Sequence, residues 1–263
     1  MSGYAFLRQP RWLALAFLIV LVVPSFILLS RWQLSRLDQR RHYNAVVTAN
    51  AAQAAVPVGT VMAPGSPTSA IGDPQTWRQV TATGHYDTAR EVLVRRRPLQ
   101  GANGFWVATP LVTDSGAVLV VNRGWIEAVG GAGAVQPVPP PPSGPVTVVG
   151  RVQPSQDAPS PQPSDLPAGQ VTDLDVALVG GSGAYPGYVD LVSSDPTQAS
   201  GLTPIPLPEL DEGPHLSYAV QWILFAVVAV TGFVLLVRRE REYARDDEPE
   251  SVEAGAATRT DVA

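Results

Sequence analysis

The chain has 263 residues, of which 45% are hydrophobic, and its formal net charge is −5. These values allow one medium-sized domain together with membrane segments, and the acidic balance does not favour a nucleic-acid partner. All 18 basic side chains are arginine, because the sequence contains no lysine. The sequence also contains no cysteine. Chemistry that needs an amine or a thiol is therefore excluded, including Schiff bases, P-loop lysines, disulfides, thiolate metal sites and covalent haem attachment.

The first apolar segment runs from Trp12 to Leu29, after a short N-terminal segment, residues 1–11, that carries two arginines. Its 18 residues contain no charge and are long enough to cross a membrane as a helix. A cleavable signal peptide is the alternative, but its apolar region is usually shorter, and no A-x-A cleavage site follows this run. We therefore expect an uncleaved transmembrane helix at 12–29, with the first eleven residues in the cytoplasm.

Residues 30–76 are expected to form a juxtamembrane helix to about Ala55 and then a loop rich in Pro, Gly, Ser and Ala. The following segment, 77–214, contains short runs of Val, Thr and aromatic residues that are typical of strands. These predicted strands are 78–83, 91–97, 105–112, 117–126, 146–152 and 188–192. The sequence Thr113-Asp114-Ser115-Gly116 predicts a hairpin turn, and 171–179 a short helix that starts near Thr172 or Asp173. We expect an α+β membrane protein with a small antiparallel β-barrel or sandwich domain and Pro-rich insertions.

A second uncharged apolar run extends over 22 residues from Leu216 to Val237, enough to cross a roughly 30 Å hydrocarbon core as a helix. Four arginines between 238 and 245 follow it, which is typical of a cytoplasmic anchor. We predict a second transmembrane helix at 215–237, and a basic anchor with a disordered tail at 238–263. Both termini then lie in the cytoplasm, and the β-rich domain lies outside. The arginines around the first helix favour the opposite orientation, so the second helix decides this prediction.

His215, Tyr218, Trp222 and Phe225 recur at spacings that place them on one face of the second helix. An imidazole at the top of an aromatic stripe is suited to axial ligation of a flat, apolar macrocycle such as a haem. The alternative is a histidine in the head-group zone with Tyr218 and Trp222 as interface aromatics. The spacing alone leaves both interpretations open.

Four separated motifs, taken with the two apolar runs, resemble the surfeit-locus Surf/Shy family of cytochrome c oxidase assembly factors. The motifs are Arg31-Trp32-Gln33-Leu34-Ser35-Arg36-Leu37; Trp77-Arg78-Gln79-Val80 with Thr83-Gly84-His85-Tyr86; the strand block Val94 to Pro98, Gly104-Phe105-Trp106 and Val121-Asn122-Arg123-Gly124-Trp125-Ile126; and His215-Leu216-Ser217-Tyr218-Ala219-Val220-Gln221-Trp222. Their order and spacing carry the resemblance. The Pro-rich loops and the long acidic tail depart from the family pattern.

The resemblance implies a non-enzymatic membrane chaperone of the respiratory chain that binds haem a transiently and promotes its insertion into subunit I of an aa3-type cytochrome c oxidase. A histidine on the last helix is the proposed haem a ligand in bacterial members, and it corresponds to His215, with Tyr218 and Trp222 beside it. Arg123 is a candidate for orienting the haem propionates, although the adjacent Gly124 and Trp125 are more typical of turn and core positions. The oxidase subunits are the implied partners, and the haem a synthase is a further candidate.

Two interpretations from other classes are open at this point. A stably bound accessory or structural subunit of the oxidase, without a haem of its own, would carry the same motifs, and the absorbance of the purified protein would distinguish it. A membrane-tethered hydrolase is poorly supported, because the strand block shows no His/Asp/Ser arrangement and the chain has no lysine or cysteine.

Overall fold

The structure, a computed structural model, describes residues 5–130, 133–158, 163 and 165–257. The chain forms two compact units, one made of Met1–His42 and Asp211–Ala263 and the other of Tyr43–Leu210. The first unit contains two long helices, and the second contains a mixed β-sheet. The N-terminal and C-terminal helices therefore flank the sheet domain in sequence, as predicted.

The two long helices are α1, Pro10–Ala51, and α3, His215–Ala257. Both are long and apolar enough to cross a membrane, over Pro10–Ala51 and His215–Tyr243. Large apolar side chains on them remain exposed, such as Phe17 at 65% and Val228 at 67%. Because contiguous exposed apolar surface of this kind is unfavourable in water, the two helices support a membrane location.

Helix α1 continues without a break past residue 30, so the predicted transmembrane and juxtamembrane helices are one element that also contains Pro24. Helix α3 extends to Ala257, and the disordered tail predicted within 238–263 stays a prediction. The last part of the predicted tail, 258–263, lies outside the described residues.

The described residues of the second unit form eight strands and one short α-helix. They are β1 Val56–Pro57, β2 Gln79–Tyr86, β3 Val92–Val94, β4 Gly104–Thr113, β5 Val118–Glu127, β6 Val146–Pro154, β7 Gln170–Val171, α2 Val176–Gly180 and β8 Ala184–Asp195. The strand order in the sheet is β1-β2-β6-β8-β5-β4-β3-β7. Strand β2 also pairs with β4, so the hydrogen-bonded strands β2, β6, β8, β5 and β4 form a closed sequence of neighbours.

The sheet is mixed, which corrects the prediction of an antiparallel domain. The pairs β5–β8, β1–β2 and β3–β7 are parallel, and the other pairs are antiparallel. The β5–β8 pair is parallel because the chain between them includes β6, β7 and α2, which return it to the starting edge as a crossover. Local turn signals of the kind found at Thr113-Asp114-Ser115-Gly116 report only hairpins, so they could not reveal this pairing.

The predicted hairpin connects β4 and β5. Thr113 and Ala117 are joined by a backbone hydrogen bond of 2.8 Å, and Gly116 adopts a φ of 81°, which the turn requires and glycine accepts. The predicted helix at 171–179 is shorter in the structure. It begins after Asp175, whose carboxylate accepts from the backbone N–H groups of Ala177 and Leu178.

Strand β5 is buried on both faces and separates two apolar clusters. Leu119 and Val121 point into the larger cluster, with residues of β2, β6 and β8, whereas Val120 faces a second cluster that includes α2. Alternation of side chains along a strand places neighbours on opposite faces, so both faces of this strand are core. The segment Asn122 to Ile126 is consequently held in the most enclosed part of the domain.

Candidate functional site

The candidate site lies on the helical unit, where α1 and α3 pack against each other as an antiparallel pair. Ser30 Oγ donates to the carbonyl oxygen of Ala219 at 3.0 Å in a buried position. On one side of this contact the helices approach through Phe26 and Trp222, and on the other side through Gln33 and His215. Residue numbers therefore increase along α1 in the direction in which they decrease along α3. These contacts define the register of the two antiparallel helices.

Ion pairs join the helical unit at its two ends. Arg40 and Asp211 are 2.9 Å apart. Arg41 makes a bidentate pair with Glu212 through contacts of 3.0 and 2.9 Å. Arg11 pairs with Glu240 at the opposite end. Bidentate arginine–carboxylate contacts fix geometry as well as charge, so the segment that leads into α3 is anchored to α1 just before His215.

His215 is half-buried, and its Nδ1 atom lies 2.9 Å from Oε1 of Gln33. An amide oxygen only accepts, so with Gln33 in this orientation the contact requires the neutral tautomer that carries its proton on Nδ1 and its lone pair on Nε2. No other hydrogen bond of this imidazole occurs within the described residues. Gly213, at a φ of 63°, lies beside the other edge of the ring, where an added Cβ would be 3.5 Å from Nε2. The absence of a side chain at 213 leaves that edge of the imidazole open.

Aromatic side chains cluster about two to three helical turns after His215 along α3. The rings of Trp222 and Phe26 are stacked with their centroids 5.5 Å apart, and Phe225 lies 5.9 Å from both. Trp222 is half-buried and Phe225 is 42% exposed, so the cluster has one packed and one open side. It provides a flat apolar surface roughly 10–15 Å from His215 along the helix axis.

Tyr218 belongs to the predicted stripe but is 45% exposed. No hydrogen bond of its hydroxyl occurs in the described part of the chain. A small apolar groove of about 230 Å³ lies between the two helices and includes Leu34, Ala219 and Ile223. The structure therefore brings His215 and Trp222 together against α1 and leaves Tyr218 on the exposed side of α3.

Arg123 is part of the sheet unit, and its side chain is fully buried there. Its Nη1 atom lies 2.7 Å from Oε2 of Glu91, and Nη2 donates to the carbonyl oxygen of Pro139. The guanidinium also lies 5.9 Å from the ring of Tyr86. These contacts enclose the positive charge within the domain, so they support the structural interpretation of Arg123 over a role in holding propionates.

The model of the SURF1 family matches residues 20–227 of the chain. An uncharacterized SURF1-like protein of Mycobacterium bovis is 34% identical over 98% of both chains, and one from Mycobacterium tuberculosis gives the same values. A SURF1-like protein of Rickettsia bellii is 26% identical over 38% of each chain. The chain belongs to the SURF1 family. The match confirms the resemblance inferred from the four motifs. The family is known in general for cytochrome oxidase assembly.

The strand-block motif of this SURF1 family member holds the sheet unit together. Arg97 lies 4.5 Å from the ring centroid of Trp106, and the indole N–H of Trp125 donates to the carbonyl oxygen of Arg97 at 2.6 Å. Gly104 is packed so closely that an added Cβ would lie 2.3 Å from the ring of Trp125. Separated parts of the motif are therefore in direct contact, and their residues have a packing role.

Arg95 and Arg96 differ from Arg97. Both line an open pocket of about 520 Å³ together with Pro98 and Phe105, and no ion pair of either side chain occurs within the described residues. Arg96 is exposed, with its backbone at a φ of 56°. The two guanidinium groups therefore line an open pocket without a carboxylate partner in the described part of the chain.

Two features of the SURF1 fold were not anticipated. The contact of Gln33 with His215 is one, although a neutral polar residue between an apolar run and arginines is a usable signal for a contact between helices. Asp190 was not considered. It is 4% exposed, accepts from Asn122 Nδ2 at 2.7 Å, and burial raises its pKa to about 6.

Proposed function

We propose that the protein is a two-span membrane chaperone that holds haem a as cargo and promotes its insertion into subunit I of an aa3-type cytochrome c oxidase. The observation that carries the proposal is the imidazole of His215, which is bonded to Gln33 through Nδ1 and leaves Nε2 free beside Gly213. Imidazole nitrogens are common axial ligands of haem iron, and the aromatic pair Trp222 and Phe26 supplies apolar surface about two turns further along α3. The role is non-enzymatic.

The residues fit such a cargo in their chemistry. His215 would hold the iron, and Trp222 and Phe225 would contact the macrocycle. Tyr218, exposed on the same helix, is placed to add contact area after the cargo enters. Transfer to another protein requires an accessible site, and the open side of the aromatic cluster meets this requirement. The porphyrin iron supplies the redox chemistry only after it reaches the oxidase.

We further propose that both termini lie in the cytoplasm and that the sheet unit, interpreted as a small β-barrel, lies on the outer side of the cell membrane. The antiparallel packing of α1 and α3 supports a topology with both termini on the same side. Arg40 and Arg41, which made the charge pattern around the first helix ambiguous, are paired with Asp211 and Glu212. Because Arg11 at the other end of α1 is also paired, with Glu240, the proposed orientation rests on the arginines that follow the apolar part of α3.

A stably bound accessory subunit of the oxidase is the second candidate, and Gln221 favours it. This amide is exposed on the apolar part of α3, and no hydrogen bond of its side chain occurs within the described residues. Polar side chains in hydrocarbon are commonly bonded across a helix interface, so Gln221 is suited to contact a helix of the oxidase or of the haem a synthase. Both candidates place the protein at the oxidase.

The proposal is tested by co-expressing the full chain with the haem a synthesis genes and recording the absorbance of the detergent-purified protein. We expect a haem a spectrum in the wild type, its loss in His215→Ala, and lower assembled oxidase in the same cells. His85→Ala, a change of an exposed histidine in β2, serves as the matched control and should keep the spectrum. A haem-free wild type that co-purifies tightly with the oxidase would favour the accessory subunit.

A further inference from the structure

His215 does not stand alone in the structure, because a residue of α1 determines how its ring is presented. The contact of 2.9 Å between Nδ1 of His215 and Oε1 of Gln33 joins residues that are 182 positions apart in the chain. We propose that Gln33 is a positioning residue, which fixes the tautomer and the orientation of the His215 ring so that Nε2 faces the ligand site. This inference rests on the proposed function, which it extends to a second residue.

Further contacts on both sides of the Gln33–His215 hydrogen bond hold α1 and the start of α3 in place, and these contacts are together called the frame. Gln33 follows Ser30 by three residues and His215 precedes Ala219 by four, so each pair shares one helix face. The buried bond from Ser30 to Ala219 therefore fixes the two helices at the level of the imidazole. A short side-chain contact on such a frame has little freedom to be replaced by water.

The second part of the frame lies before α3. Arg41 holds Glu212 by two contacts, and Glu212 is three residues before His215. Gly213 adopts a φ of 63°, which lets the chain turn into the helix without a side chain beside the imidazole. The space along the Cδ2–Nε2 edge of His215 is open for this reason, since an added Cβ would lie 3.4 Å from Cδ2 and 3.5 Å from Nε2.

The chemical consequence concerns the nitrogen that binds metal. A histidine whose Nδ1–H donates a hydrogen bond to an oxygen has its lone pair on Nε2. The hydrogen bond makes Nε2 more basic and therefore a stronger metal ligand. Loss of such a partner commonly lowers metal affinity about 10-fold to 100-fold. Gln33 thus supplies the same function that a carboxylate or a backbone carbonyl supplies beside many metal-bound histidines.

The first test uses the haem-free protein. The ¹⁵N shifts of the imidazoles are measured on full-length protein in detergent, and the signals of His215 are assigned by their loss in His215→Ala. We expect a protonated Nδ1 and an unprotonated Nε2 in the wild type, and a mixture of tautomers in Gln33→Met, which keeps the length of the side chain but has no acceptor. A wild-type His215 that carries its proton on Nε2 would overturn the inference.

The second test is a titration of the same proteins with haem a. Gln33→Met should weaken binding about 10-fold, whereas Gln33→Glu, which keeps an acceptor, should bind as well as the wild type and shift the reduction potential of the bound haem to more negative values. Gln221→Met is the matched control, because it makes the same replacement on the exposed side of α3. Unchanged affinity, spectrum and potential in Gln33→Met would refute the positioning role.

The two proposals fail in different ways. If the wild type binds no haem a, the proposed function is wrong, but the ¹⁵N measurement still decides whether Gln33 fixes the tautomer of His215. If His215→Ala abolishes binding and Gln33→Met does not alter it, the proposed function stands and the positioning role is rejected.

Discussion

Arg123 and Glu91 form a buried ion pair at the centre of the sheet unit, with 2.7 Å between Nη1 and Oε2. The hydroxyl of Thr109 donates to the same carboxylate oxygen at 2.7 Å. The side chain of Arg123 has no exposed surface, whereas that of Glu91 is 20% exposed. The charge of Arg123 is therefore balanced inside the domain by Glu91, which directly precedes β3, and Arg123 also donates to Pro139 in the segment between β5 and β6.

Glu91→Ala should destabilise the protein strongly, because it leaves the guanidinium of Arg123 buried without its carboxylate. Loss of one partner of such a pair typically costs about 3–5 kcal/mol, whereas replacement of both by apolar groups costs much less. The double variant Arg123→Met/Glu91→Leu should therefore recover much of the lost stability. Thermal unfolding of the full chain in detergent, followed by tryptophan fluorescence, measures both effects.

The same double variant decides between the two interpretations of Arg123. We expect it to retain wild-type haem a binding, because the guanidinium is enclosed by Glu91, Pro139 and Tyr86. A folded double variant that had lost haem a binding would return Arg123 to the list of haem-binding residues.

Gly104→Ala is expected to destabilise the sheet unit by about 3 kcal/mol or more. The added Cβ would lie 2.2 Å from the carbonyl oxygen of Ile126 and 2.3 Å from the ring of Trp125, so the β4–β5 pair would have to separate. Gly183→Ala is the control, since no atom lies within 4 Å of the corresponding Cβ. Equal unfolding temperatures of the two variants would contradict the close packing.

The sequence was sufficient for the features that depend on local patterns. Uncharged length predicted α1 and α3, and the turn at Thr113 to Gly116 predicted the β4–β5 hairpin. The parallel pairing of β5 with β8 depends on a crossover of the chain between them, and neither strand encodes its partner. For this reason the mixed sheet was missed, whereas the number and position of the main strands were close.

The candidate site was predictable in part. His215 and Trp222 follow from helical spacing and from the motif at the start of α3. The contact between His215 and Gln33 also depends on how each helix is rotated about its axis, which is fixed by side-chain packing such as that of Ser30 on Ala219. Arg96 and Arg97 illustrate the opposite case, because these adjacent arginines look alike in sequence, yet Arg96 is exposed whereas the guanidinium of Arg97 lies 4.5 Å from the ring centroid of Trp106.

Asp190 should give the sheet unit a characteristic dependence of stability on pH. Burial raises the pKa of this carboxyl to about 6 in the folded state, above the ordinary value of 3.8. Between these values the folded state binds more protons than the unfolded state, so the free energy of unfolding falls as pH rises and then levels off above about pH 6. The expected loss is on the order of 2–3 kcal/mol between pH 4 and pH 7.

Asp190→Asn should remove this slope, because the amide does not titrate and can keep a hydrogen bond with Asn122. The measurement is the unfolding temperature of both proteins at several pH values from 4 to 7, with Asp114→Asn at the exposed hairpin turn as the control. Parallel pH profiles for wild type and Asp190→Asn would show that another group causes the dependence.

Arg95 and Arg96 are expected to contribute to recognition of the oxidase. Both line the open pocket beside Phe105 without an ion pair in the described residues, so a double change to Glu should weaken co-purification of the oxidase while leaving the unfolding temperature nearly unchanged. The wild-type interaction should weaken with salt, since exposed charges are screened. Arg36→Glu, a change of an exposed arginine on α1, is the control. Wild-type recovery of the oxidase with the double variant would exclude this surface.

Gln221 tests whether α3 contacts a partner helix in the membrane. Its exposed amide has no hydrogen bond within the described residues, so Gln221→Leu should leave the isolated protein stable and its haem a binding intact. A hydrogen bond between helices in a membrane contributes up to about 1–2 kcal/mol, which corresponds to roughly a 5-fold to 30-fold loss of association with the oxidase. Val227→Leu, at a site that is 55% exposed but apolar, is the control. If the oxidase is recovered equally with Gln221→Leu and Val227→Leu, the amide of Gln221 contacts no partner helix. The argument from Gln221 for a stably bound subunit would then be lost.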